Sequence, residues 1–186
     1  MITIRTLENI GADIIDLLAV SGYTSTAKYR VQKNEAHERT MITMELVALD
    51  PPYVKTWPVL DDDVERYRRV VQQALSLGAY ADDRLVGVAI AERQDWNRTL
   101  WVWEFHIAET QKMMGLGRRL MDALADRATE AGLRVMVCET QSTNVPAIEF
   151  YRKVGFEVGS IDLSYYSNDD APDGEVAIFM KRKLGS

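Results

Sequence analysis

One cysteine, Cys138, and two histidines stand among 186 residues. A lone thiol closes no internal disulfide, and this stock of Cys and His offers no cluster with zinc-ligand spacing, so neither a disulfide framework nor a metal site is expected. Cys138 lies in an apolar run and reads as a small buried hydrophobe in a reducing compartment. No apolar run approaches the ~20 residues that cross a bilayer, and the N-terminus lacks a basic-then-apolar leader. A cytoplasmic protein with no membrane partner is the expectation. Positive charge is in deficit, with 22 Lys and Arg against 28 Asp and Glu for a net −6. That balance argues against a nucleic-acid partner and suits a cationic ligand. Two phosphate-binding patterns are also missing. There is no Gly-x-x-x-x-Gly-Lys-Ser/Thr loop, and Leu120 stands where Gly-x-Gly-x-x-Gly needs its third glycine.

What remains is a globular composition, 47% hydrophobic and 27% charged, with no repeat or linker. One domain over residues 1–184 is expected, and Gly185-Ser186 has the composition of a cloning scar. Ile2 to Arg5 reads as a strand, and Ile10, Ile14, Leu17 and Leu18 recur at helical spacing before Gly22. Residues 23–39 are polar and read as helix or loop. Thr40 to Ala48 alternates, with Ile42, Met44, Leu46 and Ala48 on one face, and should end at Asp50-Pro51-Pro52. Asp61 is placed as the N-cap of a helix over 62–76, striped by Val64, Tyr67, Val71, Ala74 and Leu75. A hairpin turns at Asp82-Asp83, and strands follow over 85–91 and 100–107. After a helix ended by Gly132 come strands at 133–139, 158–166 and 175–182, with a short helix from Asn144 to Val154 between the first two.

The chain is organised around Trp101 to Leu120, WVWEFHIAETQKMMGLGRRL. An apolar strand passes through a polar turn into Gly115-Leu116-Gly117, where an amphipathic helix opens. The first amides of a helix have no intrahelical partner and its dipole favours anions, so such a turn can hold phosphate. Glycine at 115 and 117 permits close approach, and Lys112, Arg118 and Arg119 add local positive charge. The run Lys112-Met113-Met114-Gly115-Leu116-Gly117 resembles the acyl-CoA loop of the GNAT N-acetyltransferase superfamily, Gln/Arg-x-x-Gly-x-Gly/Ala. Lys112 keeps the charge but not the forked donor geometry.

A second landmark, Asn144-Val-Pro-Ala-Ile-Glu-Phe-Tyr151-Arg-Lys-Val-Gly155-Phe156, resembles the superfamily's N-x-x-A-x-x-x-Y-x-x-x-G-F run. Glu45-Leu46, Pro52-Tyr53-Val54-Lys55, Trp96-Asn97-Arg98, Glu139-Thr140-Gln141 and Gly159-Ser160-Ile161-Asp162 look like the streptothricin acetyltransferase branch. That branch tends to carry paired acids before the CoA loop, where this chain has Trp103-Glu104. The resemblance implies an α/β (α+β) GNAT fold: a central mixed, mostly antiparallel twisted sheet of about seven strands flanked by helices. It also implies acetyl-CoA as donor and a small cationic amine as acceptor.

An amine attacks a thioester only as the neutral base, so the site needs a proton acceptor, an oxyanion stabiliser and an acid for the leaving thiolate. Glu104, acting through water, is the candidate acceptor of the proton. His106 is the alternative on the same strand face, with Trp103 and Phe105 expected on the other. The resemblance assigns the pantetheine and thioester to main chain around Phe105, His106 and Ile107. It assigns the remaining CoA contacts to Lys112, Met113, Met114, Gly115, Leu116, Gly117, Arg118 and Asn144, and the acid to Tyr151. Glu45, Asp50, Tyr53 and Trp103, with Trp57 beside Tyr53, are the candidate acceptor-binding residues. Acetylation of a protein N-terminus or lysine, and a non-catalytic acyl-CoA sensor, stand as alternatives. A monomer and a homodimer are both compatible with the sequence.

Overall fold

The computed structural model describes residues 1–19, 22–56, 58–171 and 174–185; Trp57 and Ser186 lie outside the described residues. In chain order the elements are β1 (Ile2–Thr6), α1 (Ala12–Ala19), β2 (Gly22–Ala36), β3 (Arg39–Thr56), α2 (Asp61–Val71), β4 (Leu77–Ala81), β5 (Arg84–Gln94) and β6 (Thr99–Ile107). There follow a 3-10 turn (Glu109–Gln111), α3 (Leu116–Glu130), β7 (Val135–Gln141), α4 (Val145–Lys153), β8 (Glu157–Asp162) and β9 (Ala177–Lys183). Seven strands make one mixed sheet in the order β1-β4-β5-β6-β7-β9-β8, and β2 and β3 make a separate two-stranded sheet. Short connections give the antiparallel pairs β4–β5 and β5–β6, β1 returns to pair antiparallel with β4 from far back in the chain, and α3 is the crossover that lets β7 lie parallel to β6.

The chain divides into two compact units, one of Met1–Ser21, Thr56–Cys138 and Arg182–Ser186, the other of Gly22–Lys55 and Glu139–Lys181. In the first, Ile14 and Leu18 of α1 and Val64, Tyr67, Val70 and Val71 of α2 share a core with Val88 and Ile90 of β5. Leu116, Leu120, Leu124 and Ala128 form the buried stripe of α3. That helix ends in a Schellman motif, with Leu133 N–H on the Ala128 carbonyl, Gly132 N–H on that of Thr129, and Gly132 at φ 73°. Asp82 and Asp83 both take positive φ, as a two-residue hairpin turn requires.

Two expectations for α2 are corrected. Leu60 is the N-cap and makes no side-chain cap bond; Asp61 is already helical, and Asp63 pairs with Arg66 one turn on. The helix stops at Val71 rather than 76 because Ala74 enters the left-handed region at φ 57°, although Leu75 stays buried.

In the second unit, residues 23–36 are strand, not helix or loop, burying Ser25, Tyr29 and Val31 on one face. Three inward positions in fifteen residues leave too little alternation to read. β3 continues through Asp50-Pro51-Pro52 to Thr56. Each strand of a two-stranded ribbon is an edge, and there a missing N–H goes unnoticed. The face expected to be apolar is mostly exposed: Ile42 is 42% and Leu46 53% accessible and Ala48 is exposed, with Met44 alone of the four half-buried, whereas Val47 and Leu49 of the other face are half-buried. β8 stops at Asp162, whose carboxylate accepts the Ser164 N–H, so Tyr165 and Tyr166 belong to a turn. β8 and β9 pair antiparallel.

Candidate active site

In the first unit the chemistry gathers on β6. Ile90 pairs with Glu104 and Ala91 with Val102, so Trp103 is the extra residue of a β-bulge. The bulge breaks the alternation that was expected to set Trp103 and Glu104 on opposite faces. Both meet α2: Arg66 lies 4.7 Å over the Trp103 ring, and the Tyr67 hydroxyl donates to Glu104 Oε1. The Trp103 indole N–H donates to Glu92 Oε2 at 2.8 Å. On its other oxygen Glu104 meets His106 Nε2 at 2.6 Å, and these two side chains are 20% and 19% exposed. Burial first, then the charge of Glu104, push the Tyr67 phenol far above its ordinary value, so Tyr67 is a neutral donor.

Ala108 N–H bonds the Val86 carbonyl, which places His106 opposite Val88 as a hydrogen-bonded pair and turns the N–H groups of Phe105 and Ile107 away from β5. On that far side, the register with β7 covers only Thr99–Val102 against Val135–Cys138. The strand then leads through the 3-10 turn to Lys112, which pairs with Glu109 at 2.6 Å, and to Met113, at φ 61° and fully exposed. Met114 is 70% exposed. Gly115 caps α3 at φ 81° with no side-chain cap bond, and a Cβ built there would meet nothing within 4 Å. Leu116, Gly117 and Arg118 precede the first intrahelical bond, from Arg119 N–H to the Gly115 carbonyl. A left-handed glycine, open space above it, and helix amides with arginines alongside fit the pyrophosphate of a CoA.

In the second unit Asn144 caps α4, its Oδ1 accepting the Ala147 N–H at 3.2 Å, with Pro146 in the first turn. Tyr151 follows seven residues later, about two helical turns along. Its ring stands 5.7 Å from Phe150 and 5.5 Å from Phe156.

Tyr53, expected at the acceptor, belongs to a polar cluster around Glu175. Glu175 Oε1 accepts from Thr143 at 2.7 Å and from Tyr23 and Tyr53 at 3.2 Å each, and Oε2 from Lys55. Burial alone would raise this carboxyl; the bonds from Lys55 and Thr143 outweigh it and hold the group below its ordinary value. Glu139 moves the other way, pushed up by burial despite a bond from Tyr166. Glu45 and Asp50 do not join this cluster. Both are exposed on β3 without a side-chain bond among the described residues, and Glu45 is eight residues from Tyr53, roughly 26 Å of extended strand. Cys138 is buried at 1% exposure.

Several members of these clusters carried no role in the sequence reading. Tyr67 reads as one position in an apolar stripe, and Glu175 as the start of a strand. Lys55 and Glu139 fell inside segments that resemble the streptothricin branch, which was the only signal for them.

Comparison with known proteins agrees with the geometry. A streptothricin acetyltransferase from Streptomyces lavendulae is 32% identical over 139 residues, covering 72% of each chain. A crystal structure of nourseothricin acetyltransferase superposes with TM-score 0.74 at 26% identity over 99% of both chains. A Bacillus anthracis protein in complex with acetyl coenzyme A shares the fold, with TM-score 0.73 and 22% identity over 99% of this chain and 100% of its own. Residues 43–156 match the Acetyltransferase (GNAT) family, and with the mixed seven-stranded sheet and the glycine-capped helix after β6, the chain belongs to that family and is a GNAT-type N-acetyltransferase.

Proposed function

We propose that this enzyme acetylates a primary amine of a cationic small molecule of the streptothricin type, conferring resistance to it, by direct attack of the amine on the donor thioester. Acetyl-CoA, when bound, supplies the activated acetyl group. Residues 112–118 hold its phosphates, and the outward amides of β6 with Asn144 hold its pantetheine arm. The Glu104–His106 pair takes the proton of the incoming ammonium, and the Tyr151 hydroxyl gives one to the departing sulfur. Tyr53 and Trp103 offer aromatic faces to the cation, each contact worth ~0.5–2 kcal/mol. Glu45 and Asp50 act at longer range through their charge.

The observation that carries this reading is the hydrogen-bonded array on β6, a carboxylate and an imidazole on the strand that feeds the glycine turn. A sensor that only bound acyl-CoA would have no use for a proton acceptor there. The test is a thiol-release screen across streptothricins, polyamines and peptides. Turnover with streptothricin-type amines is expected. Turnover confined to neutral peptide N-termini would overturn the acceptor assignment, and no thiol release with any amine would overturn the enzymatic mechanism proposed.

A further inference from the structure

Glu104 has each carboxylate oxygen engaged by a different protein donor, and this divides the labour within the pair. Tyr67, 4% exposed, donates from α2 to Oε1, and its phenol is neutral. The imidazole of His106 meets Oε2 through Nε2 at 2.6 Å. An ionised carboxylate only accepts, so a neutral His106 must carry its proton on Nε2. Nδ1 is then the lone-pair nitrogen, and it makes no hydrogen bond among the described residues. Both oxygens of Glu104 are thus taken by protein partners, one on α2 and one on β6. An imidazole whose far N–H rests on a carboxylate is held in one orientation and one tautomer, in the manner of the serine-protease dyad.

We infer that His106 Nδ1 is the proton-accepting atom, and that Glu104 and Tyr67 are positioning residues that fix its tautomer and ring. The inference rests on the acetyltransferase mechanism proposed above. In the step concerned, one N–H bond of the ammonium breaks and its electron pair stays on the amine nitrogen. The proton moves to Nδ1, and the resulting imidazolium keeps its Nε2–H on the anionic Glu104. The other charged or titratable groups packed about the array are Asp63 and Arg66 of α2 and, across the Trp103 indole, Glu92 of β5.

Two readouts test this, the first needing neither donor nor acceptor, so that it stays legible if the acetyltransferase reading fails. Nitrogen-15 imidazole shifts distinguish the two neutral tautomers, and the protein has only one other histidine, His37, exposed in the β2–β3 turn. His106 is expected as the Nε2–H tautomer, shifting toward a mixture in Glu104→Gln. An Nδ1–H tautomer in the parent, or a tautomer unchanged in Glu104→Gln, would overturn the inference. The second readout is the pH dependence of kcat/KM. Glu104→Gln should keep an acid limb and partial activity, whereas His106→Gln should abolish the limb and cost ~10²–10⁴-fold in kcat. Tyr67→Phe should lower kcat with KM for acetyl-CoA unchanged, and a Tyr67→Phe that alters only thermal stability would remove Tyr67 from the device. An acid limb that survives in His106→Gln but vanishes in Glu104→Gln would make Glu104 the base and overturn the assignment.

Discussion

Replacing Glu175 by Gln should destabilise the protein at neutral pH and matter much less in acid. Four donors converge on this carboxylate from Tyr23, Tyr53, Lys55 and Thr143, and the Lys55 and Glu175 side chains are 28% and 22% exposed. The substitution keeps an acceptor oxygen for the hydroxyls but turns an amide N–H₂ toward the ammonium. Its direct effect is the loss of one charge-assisted bond, for which ~1.5–3 kcal/mol is typical. The pair is short of full burial, so about 1–2 kcal/mol is the expected loss, well below the ~3–5 kcal/mol of breaking a fully buried pair. In a chain of this length that is roughly 2–8 °C in Tm. The sign with pH follows from the depressed carboxyl. A group whose folded value lies below its unfolded value of 4.5 contributes stability that is present above 4.5 and lost as pH falls through the folded value. Glu139 is raised, so its contribution is fully present below 4.5 and lost as pH rises through its folded value; Glu139→Gln should therefore stabilise at neutral pH relative to acid. Urea unfolding of the parent and both variants, at neutral pH and below 4.5, reads this directly. Equal losses for Glu175→Gln at both pH values would refute the assignment of its stability to the Lys55 pair.

Gly117→Val should raise the dissociation constant for acetyl-CoA in calorimetry with the fold intact, and unchanged binding would mean that the phosphates sit elsewhere. Gly115→Ala meets no crowding, so its effect should be the ~1–2 kcal/mol of a left-handed alanine, seen in thermal unfolding. Tyr151→Phe keeps the ring stack and removes the hydroxyl, and kcat should fall ~10²–10⁴-fold with acetyl-CoA affinity unchanged; an unaltered kcat across pH would return Tyr151 to the core. Glu45→Gln should raise KM for a dicationic amine more than for a monocation, and the difference should fade near 1 M salt, where charges screen within ~3 Å.

The parts of the fold that were legible in the sequence are those set within a few residues. Gly132 is read as a helix stop because a left-handed C′ position suits glycine, and Asn144 as a cap because its side chain reaches an amide three residues on. Gly115 belongs with them, its φ of 81° being a local demand of the turn. Where a second strand or a partner far away decides the outcome, the sequence is silent. The bulge at Trp103 inserts one residue with no glycine or proline to mark it, and it overturns a two-residue period that looked unbroken. β2 and β3 are ribbon edges, so their prolines and exposed apolar residues violate the pattern of a half-buried strand without breaking the strand.

The polar clusters follow the same division. Glu175 finds Tyr23 across 152 positions and Thr143 across 32, and Tyr67 finds Glu104 across 37. Hydrogen bonds of this kind leave no period, since each needs one donor and one acceptor and nothing at intervening positions. The proposed donor side is therefore written in consecutive residues, from Lys112 to Arg118, and matches a family pattern almost letter by letter. The proposed base and its positioning residues are instead assembled from single positions on α2 and β6. A substitution such as Tyr67→Phe changes no motif and no hydrophobic pattern, yet it removes the bond from α2 that holds Glu104. The hydrogen bonding of the proposed base can thus change while every motif that identifies the family stays intact.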